Sequence, residues 1–146
     1  MSPRKLLRIF VVDDEYVIAS TTALILRHCG FDASFFTAPL EALKAAIAEP
    51  PDLLLSDVVM PQLTGVELAM QLRAHCPSCK VLLFSGQANT ANMLANALAE
   101  GHVFDLLPKP IHPDALLRKI EFLVGHNPSS PAHADPPTGV QLDGSR

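Results

Sequence analysis

The chain has no long hydrophobic run, no surplus of positive charge and few cysteines, and each shortage removes a class of protein. No apolar stretch in its 146 residues approaches the roughly 20 needed to span a bilayer. Met1-Ser2-Pro3-Arg4-Lys5 leads straight into a strand-like segment, without the apolar core of a signal peptide. A cytoplasmic protein with no membrane partner is expected. Eleven Lys and Arg against fifteen Asp and Glu leave a formal charge of −4. With no basic stripe, direct binding to nucleic acid is not expected. Three cysteines, an odd number, suit a reducing compartment better than a disulfide framework. No internal repeat is visible. What the chain does have is 49% hydrophobic residues, enough for the core of one domain.

The hydrophobic residues alternate between two patterns. Arg8 to Val12 is a short β-favouring run that ends abruptly at Asp13-Asp14-Glu15. From Tyr16 to Cys29, Val17, Ile18, Thr21, Leu24, Ile25 and His28 or Cys29 recur at three and four, and Gly30 follows, which predicts a helix with that stripe on the sheet. Phe31 to Phe36 reads as a second strand. Thr37 can cap a helix whose inward residues are Leu40, Leu43, Ala46 and Ile47, with Pro39 tolerated in the first turn. Leu53 to Leu55 is too short for a buried helix and suits a central parallel strand, which delivers Asp57 before Met60-Pro61 halts it. Thr64 caps a third helix through Val66, Leu68, Ala69 and Leu72. Lys80 to Phe84 forms a fourth strand with Ser85-Gly86 at its tip. Asn89 or Thr90 caps a helix carrying Met93, Leu94, Ala97 and Leu98. Val103 to Leu107 is a fifth strand, followed by Pro108-Lys109-Pro110. His112-Pro113 opens a last helix with Leu116, Leu117, Ile120, Leu123 and Val124 inward.

Five strands alternating with five helices call for an α/β fold, a doubly wound five-stranded parallel sheet with right-handed crossovers and helices on both faces. The domain is expected over residues 1–125. In residues 126–146, nine of 21 are Pro, Gly or Ser, which predicts a disordered tail.

Ligands of such sheets bind beyond the carboxyl ends of the strands. Here those ends carry Asp13 and Asp14, Asp57, Ser85 and Lys109. Clustered carboxylates call for a hard divalent ion, and magnesium prefers few carboxylates together with water and phosphate oxygens. A hydroxyl and an ammonium opposite suit the remaining oxygens of a phosphoryl group. Asp57 is left as its acceptor.

With these residues in this order, the chain resembles the receiver domain of two-component response regulators, a flavodoxin-like fold, over residues 6–125. The resemblance rests on Asp13-Asp14-Glu15, on Asp57 followed by Met60-Pro61 and Gly65, on Ser85-Gly86 and on Lys109-Pro110. It implies that Asp57 takes a phosphoryl group from a sensor histidine kinase or a histidine phosphotransfer protein. It implies that Asp13, Asp14, Asp57 and the backbone carbonyl of Val59 hold Mg2+, Asp13 through water. Ser85 and Lys109 would bind phosphoryl oxygens, and the Lys109-Pro110 bond would be cis. It further implies a module without its own output domain, which acts on a separate downstream protein or passes the phosphoryl group along a relay, with no enzymatic activity beyond its own phosphorylation and dephosphorylation. Three positions depart from the family pattern. The aromatic switch residue three before the lysine is Leu106 here, and counting from Gly101 gives Asp105 instead; Phe104 is the nearest aromatic. Ser85 stands where threonine is commoner, and Thr64-Gly65 replaces the frequent Asp-Gly.

Two other functions use the same residues. A haloacid-dehalogenase-like phosphatase built on Asp57 needs Asp-x-Asp, but Val59 takes the place of the general acid. A flavodoxin-like nucleotide binder needs a glycine- or hydroxyl-rich loop after the first strand, where acids stand that repel phosphate. Turnover of a phosphate ester or a yellow protein would favour one or the other. Cys76-Pro77-Ser78-Cys79 has the spacing of a redox or zinc pair, but it lies at a helix end, away from the N-terminal dipole that favours thiolate, and lacks a second ligand pair.

Overall fold

The computed structural model describes residues 6–86 and 90–125, apart from the side chains of residues 90–92. The disorder expected for 126–146 and a cap at Asn89 lie outside the described residues. Among the described residues ten elements alternate: β1 (Arg8–Val12), α1 (Tyr16–His28), β2 (Asp32–Phe36), α2 (Pro39–Ala48), β3 (Leu53–Asp57), α3 (Gly65–His75), β4 (Lys80–Ser85), α4 (Thr90–Ala99), β5 (Asp105–Pro108) and α5 (Pro113–Leu123). The strands form one parallel sheet in the order β2-β1-β3-β4-β5. This is the doubly wound fold expected. From β1 the chain winds first outward to β2 and then across to β3, so the crevice between the ends of β1 and β3 is the switch point where such sheets bind ligands. No helix among the described residues is long and apolar enough to cross a membrane.

Period-two alternation splits the strand residues between two cores. Phe10, Val12, Leu54, Val81 and Leu83 face α2, α3 and α4, where Ala42, Ala46, Leu68, Ala69, Leu72 and Ala97 meet them. Ile9, Val11, Leu53, Leu55, Leu82, Phe84 and Leu107 face α1 and α5, against Ala23, Leu26, Leu116 and Ile120. The central strand β3 is buried on both faces along its whole length, which is why it opens with the apolar run Leu53 to Leu55.

One helix sits on the sheet by a different stripe from the one expected, and a second keeps Leu43 and Ala46 of its expected stripe against the core but not Leu40 and Ile47. In α1 the buried residues are Ala19, Thr22, Ala23 and Leu26, while Val17 is 71% and Leu24 51% exposed. In α2 Ala42 and Ala46 are buried, while Leu40 and Ile47 are exposed. The small side chains let each helix lie close to the sheet, and its larger residues flank the contact. Thr37 is not the cap of α2: Ala38 holds that position with no side-chain hydrogen bond. Thr64 does cap α3 in a reciprocal pair, in which the Glu67 N–H donates to Thr64 Oγ1 (3.1 Å) and the Thr64 N–H to Glu67 Oε1 (2.9 Å). β5 begins at Asp105, two residues later than its apolar run, because Val103 lies off the ladder and is 69% exposed.

Candidate functional site

At the switch point, β1 leaves the sheet as the Asp13 N–H bonds to the Phe36 carbonyl at 3.1 Å. This turns Asp13 inward, where it is fully buried, and its Oδ1 accepts the Glu15 N–H at 2.8 Å. Asp14 is exposed beside it. Asp57, at the end of β3, is 7% exposed. Oxygens of Asp13, Asp14 and Asp57 lie within 4.8 Å of one another, a spacing at which one cation can meet all three. Lys109 reaches in from beyond β5, with its Nζ 3.3 Å from Asp13 Oδ2 and 3.4 Å from Asp57 Oδ2. The Lys109-Pro110 bond is cis. The Lys109 N–H donates to the Ser85 carbonyl at 3.1 Å, which ties the lysine's backbone to the tip of β4.

Each of these residues comes from a strand stripe. Asp13 is two residues after Val11, Asp57 two after Leu55, and Lys109 two after Leu107, and all three apolar residues belong to the α1/α5 core. Ser85 instead continues the stripe of Val81 and Leu83, which belongs to the opposite core. It is 9% exposed and stands one residue beyond the Phe84 that pairs with Asp57. The expected site residues Asp13, Asp14, Asp57 and Lys109 thus converge directly, and Ser85 borders them from the neighbouring strand tip.

The loop after Asp57 is held by its backbone. The Val58 N–H donates to the Phe84 carbonyl (3.1 Å), and the Val58 carbonyl accepts the Gly65 N–H (2.8 Å). Val59, partly exposed, follows this doubly tied residue. The buried Ser56 hydroxyl donates to Asp57's own carbonyl at 2.9 Å. Gly65 packs so closely on that carbonyl that a Cβ there would stand 2.9 Å from its carbon and 3.0 Å from Ser56 Oγ. Ser56 carries no pattern that could have marked it. Phe84, the floor under Lys109, is equally unmarked at the end of an apolar run.

Burial raises the pKa of Asp57; Lys109 opposes this, and Asp13 and Asp14 add to it. Burial alone would lower that of Lys109, but Asp57 and then Asp13 outweigh it and raise the value. Three carboxylates around one ammonium leave an excess of negative charge. Hard oxygen donors carrying that charge fit magnesium.

The expected switch positions are placed differently from an inward aromatic ring. Leu106 is 40% exposed, and Asp105 pairs with Lys119 at 3.6 Å. Phe104 packs against the α3 side, with the Arg73 guanidinium 4.6 Å above its ring and His102 stacked on it. Within the cysteine pair Cys76 is half-buried and Cys79 buried, and the Cys79 thiol is pushed up to about 12 by burial first and Cys76 second, which disfavours its thiolate.

The family model of the response regulator receiver domain matches residues 9–121. The chain belongs to this family. It is 29% identical to the DNA-binding transcriptional regulator NtrC of Escherichia coli over 136 residues, 93% of this chain and 28% of NtrC. The chain therefore spans little more than a quarter of that relative. The CheY-like receiver domain protein of Methanospirillum hungatei superposes with a TM-score of 0.71 at 30% identity, covering 81% of this chain and 93% of that one. The receiver domain of the sensor histidine kinase PA1611 from Pseudomonas aeruginosa was solved with a magnesium ion in its active-site cleft. It shares the fold at a TM-score of 0.70 and 20% identity, over 83% of this chain and 99% of that one. As a receiver domain, the chain is the phosphoacceptor module of a two-component system. Receiver domains bind magnesium at an acidic site, and this chain has a cluster of three aspartates.

Proposed function

We propose that Asp57 is the phosphoacceptor of this receiver. The observation that carries the reading is the bridging of Asp13 and Asp57 by one ammonium at the mouth of the switch-point crevice. In the transfer, an Asp57 carboxylate oxygen forms a bond to phosphorus as the bond from phosphorus to the donor's histidine nitrogen breaks. Lys109, released from the carboxylate that is being esterified, turns its positive charge to an incoming phosphoryl oxygen, and the Ser85 hydroxyl approaches another from the β4 tip. Asp13, Asp14, Asp57 and the Val59 carbonyl would hold Mg2+, which supplies positive charge to the phosphoryl oxygens when bound. The burial that raises the Asp57 pKa makes its ionised form costly, and a cation beside it offsets that cost.

The donor is a sensor histidine kinase or histidine phosphotransfer protein. Its seat is the apolar groove of about 260 Å³ beside Lys109, lined by Val17, Ile18, Ile25, Pro110 and Leu116. Phosphorylation biases the receiver toward a second conformation that a separate output protein reads, and the chain catalyses nothing beyond gaining and losing its own phosphoryl group. It acts in the cytoplasm. Incubation with labelled acetyl phosphate and magnesium tests the reading. Asp57→Asn is expected to take no label, and Lys109→Ala to take it slowly. Undiminished labelling of Asp57→Asn would place the acceptor elsewhere.

A further inference from the structure

Beneath the site lies a ring that the phosphotransfer chemistry does not itself require. Phe84 is fully buried in the α1/α5 core, and Lys109 Nζ stands 5.3 Å from its ring centroid. That is within the roughly 6 Å over which an ammonium is attracted to the face of an aromatic ring. Phe84 is paired in register with Asp57 on one side and Leu107 on the other. It follows Leu82 on the stripe of β4 that faces the same core as the stripes delivering Asp13, Asp57 and Lys109. The lysine stem passes Gly86, where an added Cβ would lie only 3.5 Å from Lys109 Cβ. The ammonium is thus surrounded by two carboxylates and one ring.

These contacts differ in what happens to them during the reaction. Esterification of Asp57 moves the negative charge that holds Lys109 from the carboxylate oxygens to the phosphoryl oxygens, and Asp13 shares its charge with any bound cation. The ring's negative face is unchanged throughout. We propose that Phe84 is a positioning residue for Lys109: its ring fixes the ammonium at the crevice while the charge it pairs with moves from the Asp57 carboxylate to the phosphoryl oxygens, so that the lysine meets the incoming group in one place. An aliphatic side chain at position 84 would fill the core equally but offer the ammonium, on its flexible four-carbon stem, no fixed negative face while that charge moves.

The inference rests on the phosphoacceptor reading, and its test separates the two. Fluorination drains the negative face of a benzene ring with little change of shape, so mono-, di- and trifluorophenylalanine placed at position 84 vary the attraction while preserving the packing. The initial rate of labelling from acetyl phosphate with magnesium is measured across the series, in the native background and with Lys109→Ala. The expected result is a stepwise fall reaching about fivefold in the trifluoro protein, absent when Lys109 is removed. A flat series in the native background overturns the proposal, and so does a fall that persists unchanged with Lys109→Ala, since the ring would then act on packing alone. If unmodified protein takes no label at all, the phosphoacceptor reading fails and the proposal with it.

Discussion

Replacing Gly65 with alanine tests how tightly the phosphoacceptor's backbone is built. The new Cβ would lie far inside van der Waals contact with the Asp57 carbonyl oxygen and 2.9 Å from its carbon. Carbon atoms sit comfortably at about 3.5 Å or more, so the two backbones must part by roughly 0.6 Å at the least. Neither atom belongs to a flexible side chain that could rotate away. Overpacking of this kind costs about 1–3 kcal/mol, and stretching the Gly65 N–H to Val58 carbonyl bond, 2.8 Å in the native fold, costs about 1 kcal/mol more. Alanine's better helix propensity returns a few tenths in the first turn. The expected loss is about 2–3 kcal/mol, read as a lower urea midpoint with unchanged slope and a melting temperature lower by about 10 °C. Magnesium affinity and labelling should fall with it, since the displaced carbonyl leads directly into Val58 and Val59. Gly30→Ala is the control: its φ of +95° imposes strain of about 1–2 kcal/mol, but nothing lies within 4 Å of the added Cβ, and the site should work normally. A Gly65→Ala protein within about 0.5 kcal/mol of the native one would refute the close-packing argument.

Asp57→Asn should stabilise the fold at neutral pH. The folded state raises this group's pKa above 3.8, so the protonated form is favoured there; the native protein loses stability relative to the amide as pH rises through 3.8 and the folded value, and the two converge in acid. Chemical denaturation at a series of pH values measures the gap, and a gap that widens toward low pH contradicts the sign. Magnesium should raise the melting temperature of the native protein by mass action, and Asp14→Ala should remove most of that rise; equal responses in both proteins would exclude Asp14 as a ligand. Val17→Asp, on the exposed rim of the α1 groove, should slow transfer from a phosphorylated histidine protein about tenfold or more while leaving labelling by acetyl phosphate unchanged. Parallel losses with both donors would mean that the groove is not the donor's seat.

The order of elements and the chemistry of the strand tips were decided by the sequence itself. A parallel strand buried on both faces must be an apolar run, so the abrupt change to a polar residue at Asp13, Asp57 and Ser85, or at Lys109 between prolines, marks where each strand leaves the sheet. Topology then had little choice but to gather these tips at one crevice. The Thr64 cap was equally legible, because a capping box is satisfied within four residues.

What the sequence left open depends on neighbours distant along the chain. α1 carries two stripes that could face inward, and Ala19, Ala23 and Leu26 prevail over Val17 and Leu24 only because the small residues admit the helix close to the sheet. Ser56 acquires a role only when Gly65 closes over the Asp57 carbonyl, and Phe84 only when Lys109, 25 positions later, is laid across its ring. Local pattern records which groups a segment must bury or cap; which of two similar faces meets the core, and which apolar residue lies under a charge, is set by packing between segments and appears only once they are assembled.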